Sequence, residues 1–287
     1  MNIPFYQVDA FTNQPFKGNP AGVCLPDTPL ADHLLRAVAS EYPHVEMAWL
    51  FASAEGYQLR WFSPKMEMPL CGHATLATAH ILWESGREPR DRPLSFHTAS
   101  GELIATQHDG WIELDFPSRA SEPRELPAEL ERLFEGKYVN AFYSVDRYII
   151  ELPSPADVRG FIPDTQLLAD HRCVITSRAE TGSPYHFISR YFAIPVGFIE
   201  DPVTGTAHCS LAPYWASRLG MEELFAYQAS PRGGEVRCRL VGDRVFLSGQ
   251  AVTMMEGRII VQEDDNRCCS CAHILPAAPG SFALFGY

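Results

Sequence analysis

The chain has 287 residues, 46% hydrophobic and 20% charged, the balance of an ordinary globular protein with room for one large core or two modest ones. Its 23 Lys and Arg against 35 Asp and Glu leave a formal charge of −12, which argues against nonspecific binding to nucleic acid or to an anionic membrane, since both favour basic surfaces. No apolar run is long enough to cross a bilayer, and Met1-Asn2-Ile3-Pro4-Phe5 lacks the basic-then-apolar order of a signal peptide, so a cytoplasmic protein with eight free thiols is expected.

Along the chain, residues 3–10 alternate as a strand does, with Ile3, Phe5 and Val8 on one face. Phe16-Lys17-Gly18-Asn19-Pro20 reads as a loop, and Ala21 to Leu25 as a second strand. Helical spacing covers Asp32 to Tyr42. Strands are predicted at Met47 to Phe51 and Tyr57 to Phe62, and a helix follows Gly72 and stops near Gly86. Leu94 to Phe116 reads as a three-stranded meander with turns at Ser100-Gly101 and Asp109-Gly110. Pro117 to Pro127 is polar and carries three prolines, and the lobe boundary is placed there. The pattern then restarts: a strand over Ala141 to Leu152, a short helix near Asp164 to Ala169, strands at Val174 and His186, and a helix after Gly205. Strands at Leu224, Glu235, Arg244 and Ala251 complete it. The pattern predicts an α+β protein of two similar lobes, 1–117 and 118–262, each a mostly antiparallel sheet around one central helix. Residues 263–287 lack a period and are expected to pack loosely. Cys268, Cys269 and Cys271 in that tail match no common zinc spacing, so no metal is expected.

Two segments share a layout. Leu70-Cys71-Gly72-His73-Ala74-Thr75 and Val203-Thr204-Gly205-Thr206-Ala207-His208 each put small residues at the start of a helix. The first N–H groups of such a helix are free to hold an anion, so the pair predicts a small carboxylate bound between the lobes. Glu46, between Val45 and Met47, is either a solvated carboxylate or one held in an apolar pocket, where it could take and return a proton. His73 is either a structural polar residue or a neutral imidazole beside a substrate oxygen, kept neutral by the helix dipole. Asp201 and Thr206 read as helix caps or as substrate ligands, and position alone favours the cap for both. Cys71 could be a base, but superposing the two segments puts Thr204 opposite it, which disfavours a two-thiol racemase. Arg232-Gly233-Gly234 is a hairpin turn whose arginine could lend positive charge to a bound acid.

The Glu200-Asp201-Pro202-Val203-Thr204-Gly205 and Cys71-Gly72-His73-Ala74-Thr75 segments, with Asp9-Ala10-Phe11-Thr12, Gly18-Asn19-Pro20-Ala21, Glu46 and Arg232-Gly233-Gly234, resemble the PhzF-like family of phenazine biosynthesis, which has the diaminopimelate-epimerase fold. The resemblance implies two pseudo-symmetric lobes with a ligand cleft between them, a homodimer, and no metal or organic cofactor. It implies Glu46 as acid/base, with His73 and Asp201 as its catalytic partners. Substrate would be bound by Gly18, Asn19, Gly72, Ala74, Gly205, Thr206, Arg232 and Gly233. The reaction implied is a proton-transfer isomerisation or epimerisation of a small carboxylate, with a trans-2,3-dihydro-3-hydroxyanthranilate-type substrate as one case. Thr206 stands where the family has serine, and Val45 where relatives often carry a small polar residue. A ligand-binding or protein-interaction module without turnover is the alternative on the same fold. The discriminating feature is whether Glu46, His73, Asp201 and Thr206 converge on one enclosed cleft.

Overall fold

The computed structural model describes residues 1–43, 45–53 and 56–261. The expectation of a loose tail with three clustered cysteines therefore lies outside the described residues. In the first half, the chain runs β1 (Asn2–Ala10), β2 (Asn19–Cys24), α1 (Asp32–Ser40), β3 (Glu46–Ser53), β4 (Gly56–Phe62), β5 (Glu67–Met68), α2 (Gly72–Glu84), β6 (Leu94–Thr98), β7 (Gly101–His108) and β8 (Trp111–Pro117). The second half follows as β9 (Glu122–Pro123), α3 (Ala128–Phe134), β10 (Asn140–Ser144), β11 (Arg147–Glu151), α4 (Pro155–Gly160), β12 (Cys173–Arg178), β13 (Phe187–Ala193), β14 (Phe198–Asp201), α5 (Gly205–Leu219), β15 (Glu223–Gln228), β16 (Gly234–Val241), β17 (Arg244–Gly249) and β18 (Ala251–Ile260).

The pairings repeat between the halves. β1–β2 and β10–β11 are antiparallel, while β2–β3 and β11–β12 are parallel. β3–β4–β5 matches β12–β13–β14, all antiparallel, and β4–β6 matches β13–β15, both parallel. Each parallel pair needs a crossover, and α1, α2, α4 and α5 supply the four. The register fixes the equivalences. Ala48 pairs with Trp61 and Trp61 with Met68, as Val174 pairs with Tyr191 and Tyr191 with Asp201. Counting along the strands from these anchors, Cys71 corresponds to Thr204, Gly72 to Gly205, His73 to Thr206, and Glu46 to Arg172.

The lobes also exchange strands. After β8 the chain crosses to pair β9 with β10, and after β17 it crosses back to pair β18 with β1; β8 and β17 pair directly. The final strand therefore completes the first lobe's sheet, a long-range pairing that a linear division at residue 117 does not show.

Both central helices are buried on nearly every side, as a helix wrapped by sheet must be. In α2 only His80 and Glu84 fall outside the buried set, and in α5 the buried residues run from Gly205 through Trp215 with few gaps. One apolar cluster joins them, with Leu76 and Ala77 from α2, Leu211 and Ala212 from α5, and Phe116 and Leu247 from the β8–β17 seam.

Four local features differ from the sequence reading. The stretch 141–152 is a hairpin rather than one strand, because Val145 adopts a positive φ of 58° and turns the chain. Residues 164–169 form a turn held by the Asp164 side chain, whose Oδ1 accepts from the Gln166 and Leu167 N–H groups. The short helix lies earlier, at α4, where Ser154 caps the N–H of Asp157 and Pro155 occupies the first turn. A further helix, α3, occupies Ala128–Phe134, a stretch the sequence reading left unassigned.

Candidate active site

The N-terminal ends of α2 and α5 meet between the lobes. A Cβ built on Gly72 would lie 3.8 Å from the Gly205 Cα, and one built on Gly205 would lie 3.8 Å from the Gly72 Cα. Neither glycine has a positive φ, and an added methyl would make only ordinary contacts. Bare backbone at two abutting helix starts leaves the first-turn N–H groups open to an anion. A cavity of about 410 Å³ lies at this junction. Glu46, Cys71, Gly72, His73, Asp201, Thr204, Gly205 and Thr206 all contribute to its wall. Ala74 is fully buried behind it, in the first turn of α2.

Glu46 opens β3, and its pairing with Ala21 across the parallel ladder holds it at the cavity edge. Its Oε2 lies 3.3 Å from His73 Nε2, and the two side chains are 13% and 7% exposed. The Cys71 sulfur lies 3.6 Å from His73 Nδ1. Burial by itself disfavours the His73 imidazolium. The Cys71 sulfur and the Glu46 carboxylate outweigh that and raise its pKa well above the ordinary value. Of the two readings its position allowed, the neutral imidazole at the positive end of a helix dipole is the one this corrects: the adjacent carboxylate and sulfur favour the charged form.

Asp201 ends β14. Its Oδ1 accepts from Asn19 Nδ2 at 2.8 Å and its Oδ2 from the Thr204 hydroxyl at 2.6 Å. Burial raises its pKa to about 6; the nearby Glu46 carboxylate adds to the rise, and His73, Thr204 and Asn19 oppose it. Neither Asp201 nor Thr206 caps α5. The capping position is Thr204, whose side chain makes no capping bond. Thr206 instead accepts from Arg147 Nη1 at 3.2 Å, which leaves its own hydroxyl proton free to donate. Buried Gln228, missed in the sequence reading, accepts from the Thr204 N–H and donates to the Asp201 carbonyl, at 2.9 and 2.7 Å. It holds the N–H of the capping residue itself and not a first-turn N–H group of α5.

The other expected ligands occupy a clamp rather than the cavity wall. Arg232 Nε donates to the Gly18 carbonyl, and its Nη2 donates to Asp9 Oδ1 and the Lys17 carbonyl, at 2.8, 2.7 and 2.9 Å. The Gly18 N–H donates to the Gly233 carbonyl at 2.7 Å, and Asn19 also donates to the Val203 carbonyl at 2.8 Å. The loop between β1 and β2 thus reaches across to the second lobe, and through Asn19 it orients Asp201.

Four charged cavity residues were not foreseen: Arg119, Asp146, Arg147 and Arg172. Asp146 and Arg147 fell within a stretch read as continuous strand. Arg172 carried no such signal, because the offset that superposes Cys71 on Thr204 would put Ala179 opposite Glu46; only the strand register brings Arg172 there.

Among the described residues, no group of three or more His, Cys, Asp or Glu side chains is placed to hold a metal ion, and no helix is long and apolar enough to cross a membrane. The five described cysteines, Cys24, Cys71, Cys173, Cys209 and Cys238, are free and buried.

Two pseudo-symmetric lobes, each wrapped around a helix and enclosing a titratable cluster between the helix starts, define an epimerase-fold protein. The chain matches the family of phenazine biosynthesis-like proteins over residues 8–257. It is 46% identical to an uncharacterized isomerase of Halalkalibacterium halodurans, covering 91% of this chain and 100% of that protein. It is 36% identical to the phenazine biosynthesis-like domain-containing protein 1 of Mus musculus, covering 90% and 99%. The crystal structure of a PhzF-family phenazine biosynthesis protein from Enterococcus faecalis superposes with a TM-score of 0.86 at 34% identity, covering 91% of this chain and all of that one. The chain belongs to the PhzF family of phenazine biosynthesis-like proteins. Relatives named as isomerases support an isomerase- or epimerase-type activity.

Proposed function

We propose that the protein is an isomerase or epimerase that moves a proton on a small carboxylate using its own side chains, without an organic cofactor. The observation that carries this reading is the placement of Glu46 3.3 Å from buried His73, in one cleft with Asp201 and two helix N-termini. The substrate carboxylate accepts from first-turn N–H groups of α2 and α5 and from the Thr206 hydroxyl. Glu46 removes a proton from the adjacent activated carbon, and the C–H electron pair passes into a conjugated π bond. The same proton, or one relayed through His73 and Asp201, is returned to that carbon or to a conjugated one. No oxidant or other co-reactant is consumed. A trans-2,3-dihydro-3-hydroxyanthranilate-type acid is one substrate compatible with this chemistry.

Convergence of Glu46, His73, Asp201 and Thr206 on one cavity favours turnover over a binding-only module. A two-thiol mechanism gains no support. Thr204 stands opposite Cys71, and burial pushes the Cys209 thiol up to about 12, too high for a base at neutral pH. From the same family resemblance we expect a homodimer, which equilibrium sedimentation would show.

The test follows deuterium uptake from heavy water into a turned-over acid, with Glu46→Gln as the comparison. A positioned general base contributes about 10²–10⁴ in rate, so exchange should fall by at least about 100-fold. Undiminished exchange removes Glu46 from the chemistry.

A further inference from the structure

The two walls of the cleft are related by the pseudo-twofold but differ in chemistry. Where the first lobe places Glu46, the second places Arg172; where it places His73, the second places Thr206. Ala21, the ladder partner of Glu46, corresponds by the same count to Arg147, and Arg147 and Arg172 directly precede the paired Tyr148 and Cys173. The proton-handling groups of one wall are thus faced by guanidinium groups on the other. Arg119, whose N–H is tied to the Cys209 carbonyl of α5 at 3.0 Å, adds a third cation to the same cavity.

These charges are only partly balanced. Asp146 Oδ1 accepts from Arg147 Nε at 2.7 Å, and its Oδ2 pairs with Arg172 Nη1. Of the three carboxylates in the cavity wall, Asp146 is the one paired with these guanidinium groups, while Glu46 and Asp201 lie with His73 at the other end. Arg147 is 10% exposed at its side chain and shares its paired carboxylate, Asp146, with Arg172, so one carboxylate serves two guanidinium groups at that depth. The Tyr191 ring, 4.9 Å beneath its guanidinium, fixes its orientation, and Arg147 Nη1 touches Thr206 at the α5 helix start. The wall is also positive within a protein whose overall charge is −12.

The backbone that presents these groups is strained. Ser144 and Arg147 close the β10–β11 ladder, and the Asp146 N–H donates to the Ser144 carbonyl at 2.7 Å around Val145, whose φ is 58°. This is the three-residue turn with positive φ, an uncommon form and an unfavourable one for a β-branched residue. Val145 is 64% exposed, so no packing of its own explains the conformation. The strain lies where the chain delivers Asp146 and Arg147 into the cavity, and strained positions of this kind concentrate at ligand sites.

The geometry points to a second anion subsite formed by Arg147, Arg172 and Arg119, and hence to a dianionic substrate. One carboxylate sits at the α2 and α5 helix starts beside the reacting carbon, and a second anionic group, carboxylate or phosphoryl, sits against the guanidinium wall. The inference rests on the proton-transfer reading of the same cleft and adds the substrate class to it. Guanidinium groups suit planar, two-oxygen recognition of either anion.

Calorimetric titration of the wild-type protein at low ionic strength with benzoate, isophthalate and 3-phosphonobenzoate tests it. Isophthalate or the phosphonate is expected to bind at least about tenfold more tightly than benzoate, and whichever binds more tightly identifies the second group as carboxylate or phosphoryl. Arg172→Met and Arg119→Met should each reduce that advantage and leave benzoate affinity within about twofold; Arg119 is exposed, so its variant does not depend on refolding a buried site. Dianions that bind no more tightly than benzoate, non-binding of all three included, overturn the proposal, as does an advantage that persists in the Arg119/Arg147/Arg172 triple Met variant. The two readings fail separately. Equal affinities with Glu46-dependent exchange remove only the second subsite, whereas Glu46-independent exchange removes the isomerase reading whatever the dianion affinity.

Discussion

Glycines at four positions separate ligand access from backbone necessity. Gly205 has room for a methyl group at ordinary contact distance, so its bareness serves whatever approaches the helix start. Gly205→Ala is expected to leave the melting temperature within about 2 °C and to weaken binding of a carboxylate probe by about tenfold or more, read by thermal denaturation and calorimetry on the same sample. Gly72, its pseudo-symmetric partner, should behave alike. Gly18 and Gly233 differ. At Gly18 φ is 64° and a Cβ would fall 2.1 Å from the Ala10 carbonyl oxygen; at Gly233 it would fall 2.0 Å from the Tyr227 hydroxyl. Gly18→Ala should therefore cost about 2 kcal/mol or more of stability in urea denaturation.

His208 gives a pH signature at the same scale. It is fully buried, its Nδ1–H donates to the Thr204 carbonyl at 2.8 Å, and its Nε2 has no partner among the described residues. Burial lowers its pKa to about 4, with the Thr204 hydrogen bond opposing. Between about 4 and the ordinary value of about 6.5 the unfolded chain binds a proton that the folded one refuses. This residue's stability contribution is therefore complete above about pH 6.5 and is lost as pH falls toward 4, by a total of about 3 kcal/mol. Stability measured against pH should fall less steeply over that window in His208→Gln than in the wild type. Equal slopes would show that the buried imidazole does not titrate as its surroundings require.

Among the elements, the β10–β11 hairpin is the one whose local conformation costs most and whose function is least local. Val145→Gly removes the unfavourable side chain at positive φ, and it should raise stability by about 1 kcal/mol after the added chain entropy of glycine is counted. A higher denaturation midpoint with an unchanged urea slope would show this. The hairpin was also the place where periodicity misled. Apolar residues on both sides of Val145-Asp146 read as one strand from 141 to 152, because β-branched Val145 is a poor turn residue and no Gly or Pro accompanies Asp146. Elements with ordinary signals were legible: the Asp109-Gly110 turn has the expected positive φ at both residues, and the helices after Gly72 and Gly205 begin where predicted.

For the whole molecule, the main question is what holds the lobes in register. The loop from Phe11 to Gly18 is clamped to the second lobe by Arg232, and Asp9, the carboxylate it neutralises, is 2% exposed on its side chain. Burial raises the Asp9 pKa while Arg232 and the Phe16 N–H hold it down, so removing the guanidinium leaves a buried carboxylate under-compensated. Arg232→Ala is expected to cost about 2 kcal/mol of stability, reduced from the value for a fully buried pair because the arginine is one-third exposed. Affinity for a carboxylate probe should remain unchanged once the protein is folded. A large loss of affinity without loss of stability would return Arg232 to the role of ligand that its glycine-rich turn suggested.

The sequence by itself determined the α+β class, the two matched helix starts and the carboxylate at Glu46, because these rest on local residue patterns and short-range backbone chemistry. Only the tertiary structure decided that Glu46 meets His73 and Asp201, that Arg232 serves the clamp, and that Arg172 stands opposite Glu46. Those outcomes depend on strand register and lobe exchange between distant segments. Burial and neighbouring charge then set the protonation of each group, and neither quantity exists until the chain is folded.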